Sequence, residues 1–416
     1  MISAKKLLTY IIIFICCFGG FLACYSLNMT TALMYVLFLG FGCIGFLMCS
    51  FKKIAISNTF IILINYIYII ANAIFLADKN DIVSGLVQYI VCPMSFFAFL
   101  FLTKKANLHI ILKIIMWFAL INSVAGLFEF FSNRYIIPKI DAYNPDGTVR
   151  ICGFTGDFIS FAMIIGFGIL ASLYFYCKIK SKKFLFYATF MLIVLFINRS
   201  RGPLVAVLIC IATYIIYNNK IKSKDRITRK RLFFIFSGTV AALCLYYLIF
   251  VSDTMLNSAF GFYIQRLRSI FVWSDMENDH TNATRIQIWT RSLSIFLDNI
   301  WFGTGIGSTG IRNVKVGVTE SAILKRLVEL GVIGTFLNGL VYIKLLRFSM
   351  HNIKKLDDSS KLIAIIFLLF VVMVIIEGLI LQIDEYAFST TFLWLAFAVL
   401  CNCRGGNEMF RNRGNI

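Results

Sequence analysis

The stretch KLIAIIFLLFVVMVIIEGLILQI, residues 361–383, holds a single ionisable side chain, Glu377, after its opening lysine. About 20 consecutive apolar residues in a helix span the roughly 30 Å hydrocarbon core of a bilayer. The segment therefore reads as a transmembrane helix. Working outward, apolar runs of similar length occupy roughly 7–27, 31–50, 56–76, 83–103, 110–131, 157–177, 184–200, 202–217, 232–252, 327–349 and 386–402. The expected fold is an all-α integral membrane protein. It is a polytopic bundle of about twelve transmembrane helices forming one domain over residues 1–416.

Composition agrees. The 416 residues are 60% hydrophobic and 14% charged, with a mean hydropathy of +0.84, whereas a soluble domain is nearer a quarter charged. The net charge of +20 could suggest nucleic acid, but the basic residues sit in short clusters between apolar runs. That is how membrane proteins set their orientation, so no nucleic-acid partner is expected. Twelve cysteines show no C-x-x-C pair, and Cys152 alone falls in an outer loop, so neither a zinc site nor a disulfide framework is expected. The charged start at Lys5 and Lys6 resembles a signal peptide, but no small-residue cleavage site follows, and a retained first helix is the reading.

Lys5 and Lys6 place the N-terminus in the cytoplasm. Alternation then puts Lys-rich 51–53, 103–105, 178–183, 218–231 and 351–361 inside, with both termini cytoplasmic. Two outer segments exceed simple turns, a smaller loop at 132–156 and a large one at 252–320 between the ninth and tenth spans. Long irregular connections tend to carry function. Within the larger loop, Ile286, Trp289, Leu293, Phe296 and Ile300 recur at helical spacing, which predicts an amphipathic helix ended by the Gly303–Gly310 stretch.

Fourteen of the 40 basic residues fall outside on this topology, and ten of those are Arg. Orientation needs only positive charge, whereas the planar guanidinium fork holds phosphate oxygens bidentately. An anionic ligand at the outer surface is one reading, and pairing with outer acids or lipid headgroups is the plain alternative. Arg199 and Arg201 lie between two apolar runs at membrane depth, where cations are costly and mark function by default. They could instead snorkel to the headgroups. Gly202-Pro203 fits a helix start, whose free N–H groups would add anion affinity. Arg285 opens the loop helix, where a cation opposes the helix dipole, with Arg291 a turn and a half on. Glu320 precedes the tenth span and could accept a proton from a hydroxyl, or serve only as a dipole-favoured residue at a helix start.

Other signals are weaker. Residues 305–310 match G-x-G-x-x-G but lack the preceding strand a dinucleotide site needs. The acidic run at 275–280 reads as solvated loop, so no metal is expected. Glu129 and Glu377 are intramembrane carboxylates of the kind transporters use for protons.

Three local patterns resemble the O-antigen polymerase and ligase superfamily of bacterial surface-polysaccharide assembly. They are Ser200-Arg201-Gly202 at the start of a span, Arg285-Ile286-Gln287-Ile288-Trp289 followed by Phe302-Gly303-Thr304-Gly305, and Glu320-Ser321 followed after nine residues by Gly331-Val332-Ile333-Gly334. Ligases carry His where Glu320 stands, and the departure is similar to Wzy-type polymerases. The resemblance implies a glycosyltransferase of the bacterial inner membrane acting at its periplasmic face. It would join undecaprenyl-pyrophosphate-linked oligosaccharide units of O-antigen or capsule, with lipid-linked glycan as both donor and acceptor. Arg201 and Arg285 would clamp the leaving diphosphate and Glu320 would be the base. Arg150, Arg199 and Arg291 would be further substrate contacts. No cofactor is implied, while membrane lipid and a chain-length regulator protein are implied as partners. A ligase of the same superfamily and a flippase of lipid-linked sugars are the alternatives. A transporter should show related halves, and no internal repeat is visible.

Overall fold

The computed structural model describes residues 10, 29–53, 56–103, 108–137, 149–198, 200–222, 280–310, 316–356, 358–382 and 387–402. Among them the protein is helical, with an isolated bridge at Val149 and no strand. The helices are α1 (Met29–Lys53), α2 (Ile56–Phe75), α3 (Ile82–Leu102), α4 (Leu108–Ser132), α5 (Phe158–Ile179) and α6 (Lys182–Ile197). They continue as α7 (Arg201–Lys222), α8 (His280–Asp298), α9 (Ala322–Lys354), α10 (Asp358–Ile380) and α11 (Ala387–Asn402). Each expected span that falls on described residues coincides with one of these helices. Apart from Tyr10, the expected spans 7–27 and 232–252 lie outside the described residues, as do 252–279 and 311–315 of the larger loop and 138–148 of the smaller one.

Five helices are long and apolar enough to cross a membrane, namely α3, α4, α5, α9 and residues 360–379 of α10. Shorter apolar helices lie within α1, α2, α7 and α11. This is a polytopic membrane protein whose backbone polar groups are satisfied within helices, as a lipid solvent demands.

The chain forms two compact units, residues 1–214 with 292–416, and residues 215–291. Described residues of the second unit are the end of α7 and the start of α8. In the first unit α5 is buried around nearly its whole circumference, and such a helix belongs at the centre of a bundle. It packs on α4, α6 and α10, while α3 packs on α1 and α11, and α2 on α9. Phenylalanines lock the layers together. Phe167 of α5 stacks on Phe370 of α10 with centroids 4.1 Å apart, and Phe96 of α3 meets Trp394 of α11 edge to face.

Two helices are irregular, and both irregularities face the same place. α3 carries a π-helical turn at Val87–Val91, a feature common at functional sites. α9 breaks at Gly331, where φ is +64° and ψ −171°.

Candidate functional site

The Gly-rich segment after α8 does not act as a plain turn. It runs alongside the break in α9 and exchanges backbone hydrogen bonds with it. Thr304 and Gly305 N–H donate to the carbonyls of Val328 and Glu329 at 2.8 and 3.1 Å. Beyond the break, Val332 and Ile333 N–H donate to Ile300 and Trp301 carbonyls at 2.8 and 3.3 Å. α2 supports the junction through two side chains one turn apart. Tyr68 Oη donates to the Leu330 carbonyl (2.6 Å). Asn72 donates to the Phe302 carbonyl (2.9 Å) and accepts from Ile306 N–H (2.9 Å). Each carbonyl and N–H named here lies where helix bonding is interrupted and would otherwise lack a backbone partner, which explains why this irregular backbone is lined by protein. A Cβ on Gly331 would lie 2.4 Å from the Trp301 carbonyl, so glycine is required by both dihedral and distance.

Glu329, just before the break, is fully buried. Its carboxylate accepts from Tyr89 Oη at 2.6 Å, from Thr309 N–H at 3.1 Å and from Thr309 Oγ1 at 2.5 Å. One turn earlier Lys325 is also fully buried, and its Nζ donates to Gln88 Oε1 at 2.6 Å. Gln88 and Tyr89 both come from the π turn of α3, which thus turns adjacent side chains toward one face of α9. Lys325 is one of the fourteen basic residues that the expected topology places outside. Its burial follows from lying one helical turn from Glu329 on the core face.

The polar chain continues. Thr309 Oγ1 accepts from Gln382 Nε2 at 3.2 Å, and Gln382 Oε1 accepts from Thr319 N–H at 3.1 Å. Thr319 precedes Glu320, which sits half-buried in a left-handed conformation (φ +51°) outside the N-cap Ser321. Glu320 is therefore held at the bend before α9 and is not part of the helix. Ala322 N–H donates to the Leu381 carbonyl at 3.2 Å, tying the start of α9 to the end of α10.

The other predicted positions divide. Arg201 is the first residue of α7 and Pro203 lies in its first turn; Arg199 lies outside the described residues. A Cβ on Gly202 would lie 2.6 and 2.8 Å from the carboxylate oxygens of Glu377, itself fully buried on α10. The expected anion site at this helix start is thus faced by the protein's own carboxylate, where the free N–H groups and positive dipole end favour negative charge. Asn198 Nδ2 donates to the Ile151 carbonyl at 2.8 Å, tying the Arg201 turn to the segment carrying Arg150. Arg150 is half-buried with its guanidinium 3.6 Å above the centre of the Phe158 ring. The turns bearing Arg150, Arg201 and Glu320 are in this way joined through short contacts at one end of the bundle. Arg285 and Arg291 lie on α8 in the second unit, Arg285 half-buried and Arg291 exposed.

The segment beside Arg150 is pinned by Glu129, fully buried, which accepts from Ile136, Cys152 and Gly153 N–H at 3.1, 2.8 and 2.8 Å. These bonds give Glu129 a structural role and not a place in a proton path. Burial pushes the Cys152 thiol above its ordinary range, and it pushes Asp157, which caps α5 through Ser160 N–H at 2.6 Å, up to about 6.

Glu329, Thr309, Gln382 and Tyr89 were not singled out from sequence. Glu329 had a signal, since it is an ionisable residue inside an expected span. The other three are uncharged and carry none.

Residues 186–339 fit the family described as Wzy_C: O-Antigen ligase, a little over a third of the chain. That stretch contains Ser200-Arg201-Gly202, Arg285 to Trp289, Glu320-Ser321 and Gly331 to Gly334. The match supports the O-antigen ligase and polymerase superfamily, an enzyme class of glycan assembly. No curated protein matches the chain.

Proposed function

We propose that this protein is a Wzy-type polymerase. It would join undecaprenyl-pyrophosphate-linked oligosaccharide units at the periplasmic face of a bacterial inner membrane, with both termini in the cytoplasm. The observation that carries the reading is Glu320, presented at a bend by Thr319 and Ser321, at the position where ligases carry His. Its backbone neighbours bond to the same end of α10 that packs on the Arg201 turn.

In this reaction an acceptor sugar hydroxyl attacks the donor's anomeric carbon. The new glycosidic bond forms as the bond from that carbon to the diphosphate oxygen breaks, and undecaprenyl pyrophosphate leaves. Glu320 takes the hydroxyl proton. Arg201 and Arg285 stabilise the charge that develops on the diphosphate, a contribution that often dominates catalysis. Arg150, Arg199 and Arg291 would extend the cationic surface to diphosphate or glycan. The matching family does not separate polymerase from ligase, and the ligase reading predicts the same arginines with a different acceptor.

A gel of surface polysaccharide from the native host lacking this gene separates the readings. A single repeat unit on the lipid core, with the ladder gone, is expected. Bare core with long glycan stranded on undecaprenyl pyrophosphate would instead mean ligase. Bare core with unpolymerised units trapped inside would mean flippase. In complementation, Arg201→Ala, Arg285→Ala and Glu320→Ala should each abolish the ladder at normal protein level, and Arg201→Lys should impair it because ammonium lacks the bidentate fork. Full activity in all three alanine variants would sink the site assignment.

A further inference from the structure

We infer that the end of α10, from Glu377 to Gln382, is a positioning clamp that sets Arg201 and Glu320 relative to each other. The inference rests on the proposed roles of those two residues, and it assigns Gln382 and Glu377 a function that no motif marks.

The geometry runs from one side of the turn to the other. On one side Glu377 is fully buried, with its carboxylate against the first turn of α7 where Gly202 leaves room for it. A carboxylate there complements the positive dipole end of the helix that Arg201 opens. On the other side, four residues along, the Leu381 carbonyl accepts from Ala322 N–H (3.2 Å) and Gln382 Oε1 accepts from Thr319 N–H (3.1 Å). Glu320 lies between these two anchored residues. A non-glycine residue at φ +51° persists only where its surroundings over-determine it. The anchors at Thr319 and Ala322 supply that constraint.

Gln382 is itself held. It is 3% exposed, and its Nε2 donates to Thr309 Oγ1, which in turn donates a hydrogen bond to Glu329. Thr309 belongs to the Gly-rich segment and Glu329 to the break in α9. The chain Glu329, Thr309, Gln382, Thr319 is thus a continuous run of hydrogen bonds from the break to the residue before Glu320. Both ends of Gln382 are used, one as acceptor and one as donor, so the amide has a single satisfied orientation. Its neighbours are polar and almost wholly buried, which makes removal of one link costly to the rest. Gln382 bonds to Thr309 and Thr319, and Glu377 faces the helix start that Arg201 opens. Their action is exerted through the residues they hold.

The test has two arms. In membranes supplied with lipid-linked repeat units from the native host, Gln382→Ala should lower the turnover of chain extension at least tenfold while KM for those units changes less than twofold. Thr309→Val should fall as far, and Thr309→Ser, which keeps the hydroxyl, should regain wild-type turnover. The double variant Thr309→Val with Gln382→Ala should be no slower than either single one, as two links of one chain require. Additive losses, or equal activity of the Ser and Val variants, would overturn the clamp.

The second arm needs no chemistry. Spin labels at exposed Val205 on α7 and Ile323 on α9 report the separation of the two helix starts. They would be placed in full-length protein in lipid nanodiscs, with accessible native cysteines changed to serine. Gln382→Ala should broaden that distance distribution, and an unchanged distribution overturns the clamp whatever the enzyme does. If the distribution broadens in a protein that never extends a chain, the polymerase reading fails and the clamp stands.

Discussion

Replacing Gly331 by alanine tests whether the break in α9 is built as described. Two routes are open to the variant. It can keep the local structure, in which case alanine adopts φ +64° and ψ −171° and places its Cβ 2.4 Å from the Trp301 carbonyl, a backbone group with no rotamer to swing aside. The dihedral costs about 1–3 kcal/mol and the overpacking about 1–3 kcal/mol more. Alternatively the Gly-rich segment can lift away, giving up the four backbone hydrogen bonds at Thr304, Gly305, Val332 and Ile333. At a net value of about 0.5–1.5 kcal/mol each, that route costs about 2–6 kcal/mol. Both converge on roughly 4 kcal/mol, large against the 5–15 kcal/mol that typically separates folded from unfolded protein. Gly339 is the internal control. It lies in the regular part of the same helix, and a Cβ there meets nothing within 4 Å. Gly339→Ala should stabilise by about 0.5–1 kcal/mol. Thermal unfolding of the two purified variants in detergent, with their steady-state levels in membranes, reads the contrast. A Gly331→Ala protein that melts with the wild type would refute the description of the break.

Asp157 offers a pH test. Burial raises its carboxyl from 3.8 to about 6, so the folded state binds this proton more tightly than the unfolded one. The group's stabilising contribution is complete below about pH 4 and is lost as pH rises through 6, at most about 3 kcal/mol. Asp157→Asn keeps a cap for Ser160 N–H and should flatten that part of the melting profile between pH 4 and 7; an unchanged profile would exclude the burial effect. For orientation, cysteines introduced at Lys79 and Lys180, both exposed, should differ in intact cells toward a membrane-impermeant thiol reagent. Position 79 should label and position 180 should not, and the reverse pattern would invert the topology.

The helices were legible because their solvent is hydrocarbon. A run such as 361–383 has no other stable destination, and its helix follows from length and polarity alone. The turns bearing Arg150, Arg201 and Glu320 were also legible, since charge at the edge of an apolar run is costly enough to be conspicuous. What joins them was not. The break at Gly331 depends on Asn72 and Tyr68, more than 250 residues away in sequence, and on a Gly-rich segment whose local pattern says only that it bends. Gln382 reads as an ordinary polar residue at a helix end until Thr309 and Thr319 are placed on either side of it. Glu377 stood out as an intramembrane carboxylate, but its partner is the space left by Gly202, and a missing side chain leaves no trace in hydropathy.

The division of α9 also bears on how the chain enters the bilayer. As a continuous helix its 33 residues would measure about 50 Å, well beyond the hydrocarbon core. The part after Gly331 alone reaches about 35 Å, enough to span by itself. The nine residues before it carry Lys325, Arg326 and Glu329, each of which can cost about 2–3 kcal/mol or more at the centre of an inserting helix. An insertion machinery reading hydropathy would therefore thread the second part and leave the first behind at the interface. Lys325 and Glu329 reach their buried places only when Gln88, Tyr89 and Thr309 are there to meet them. The polar half of α9 is thus held by partners from the folded protein, Gln88, Tyr89 and Thr309, and not by the membrane.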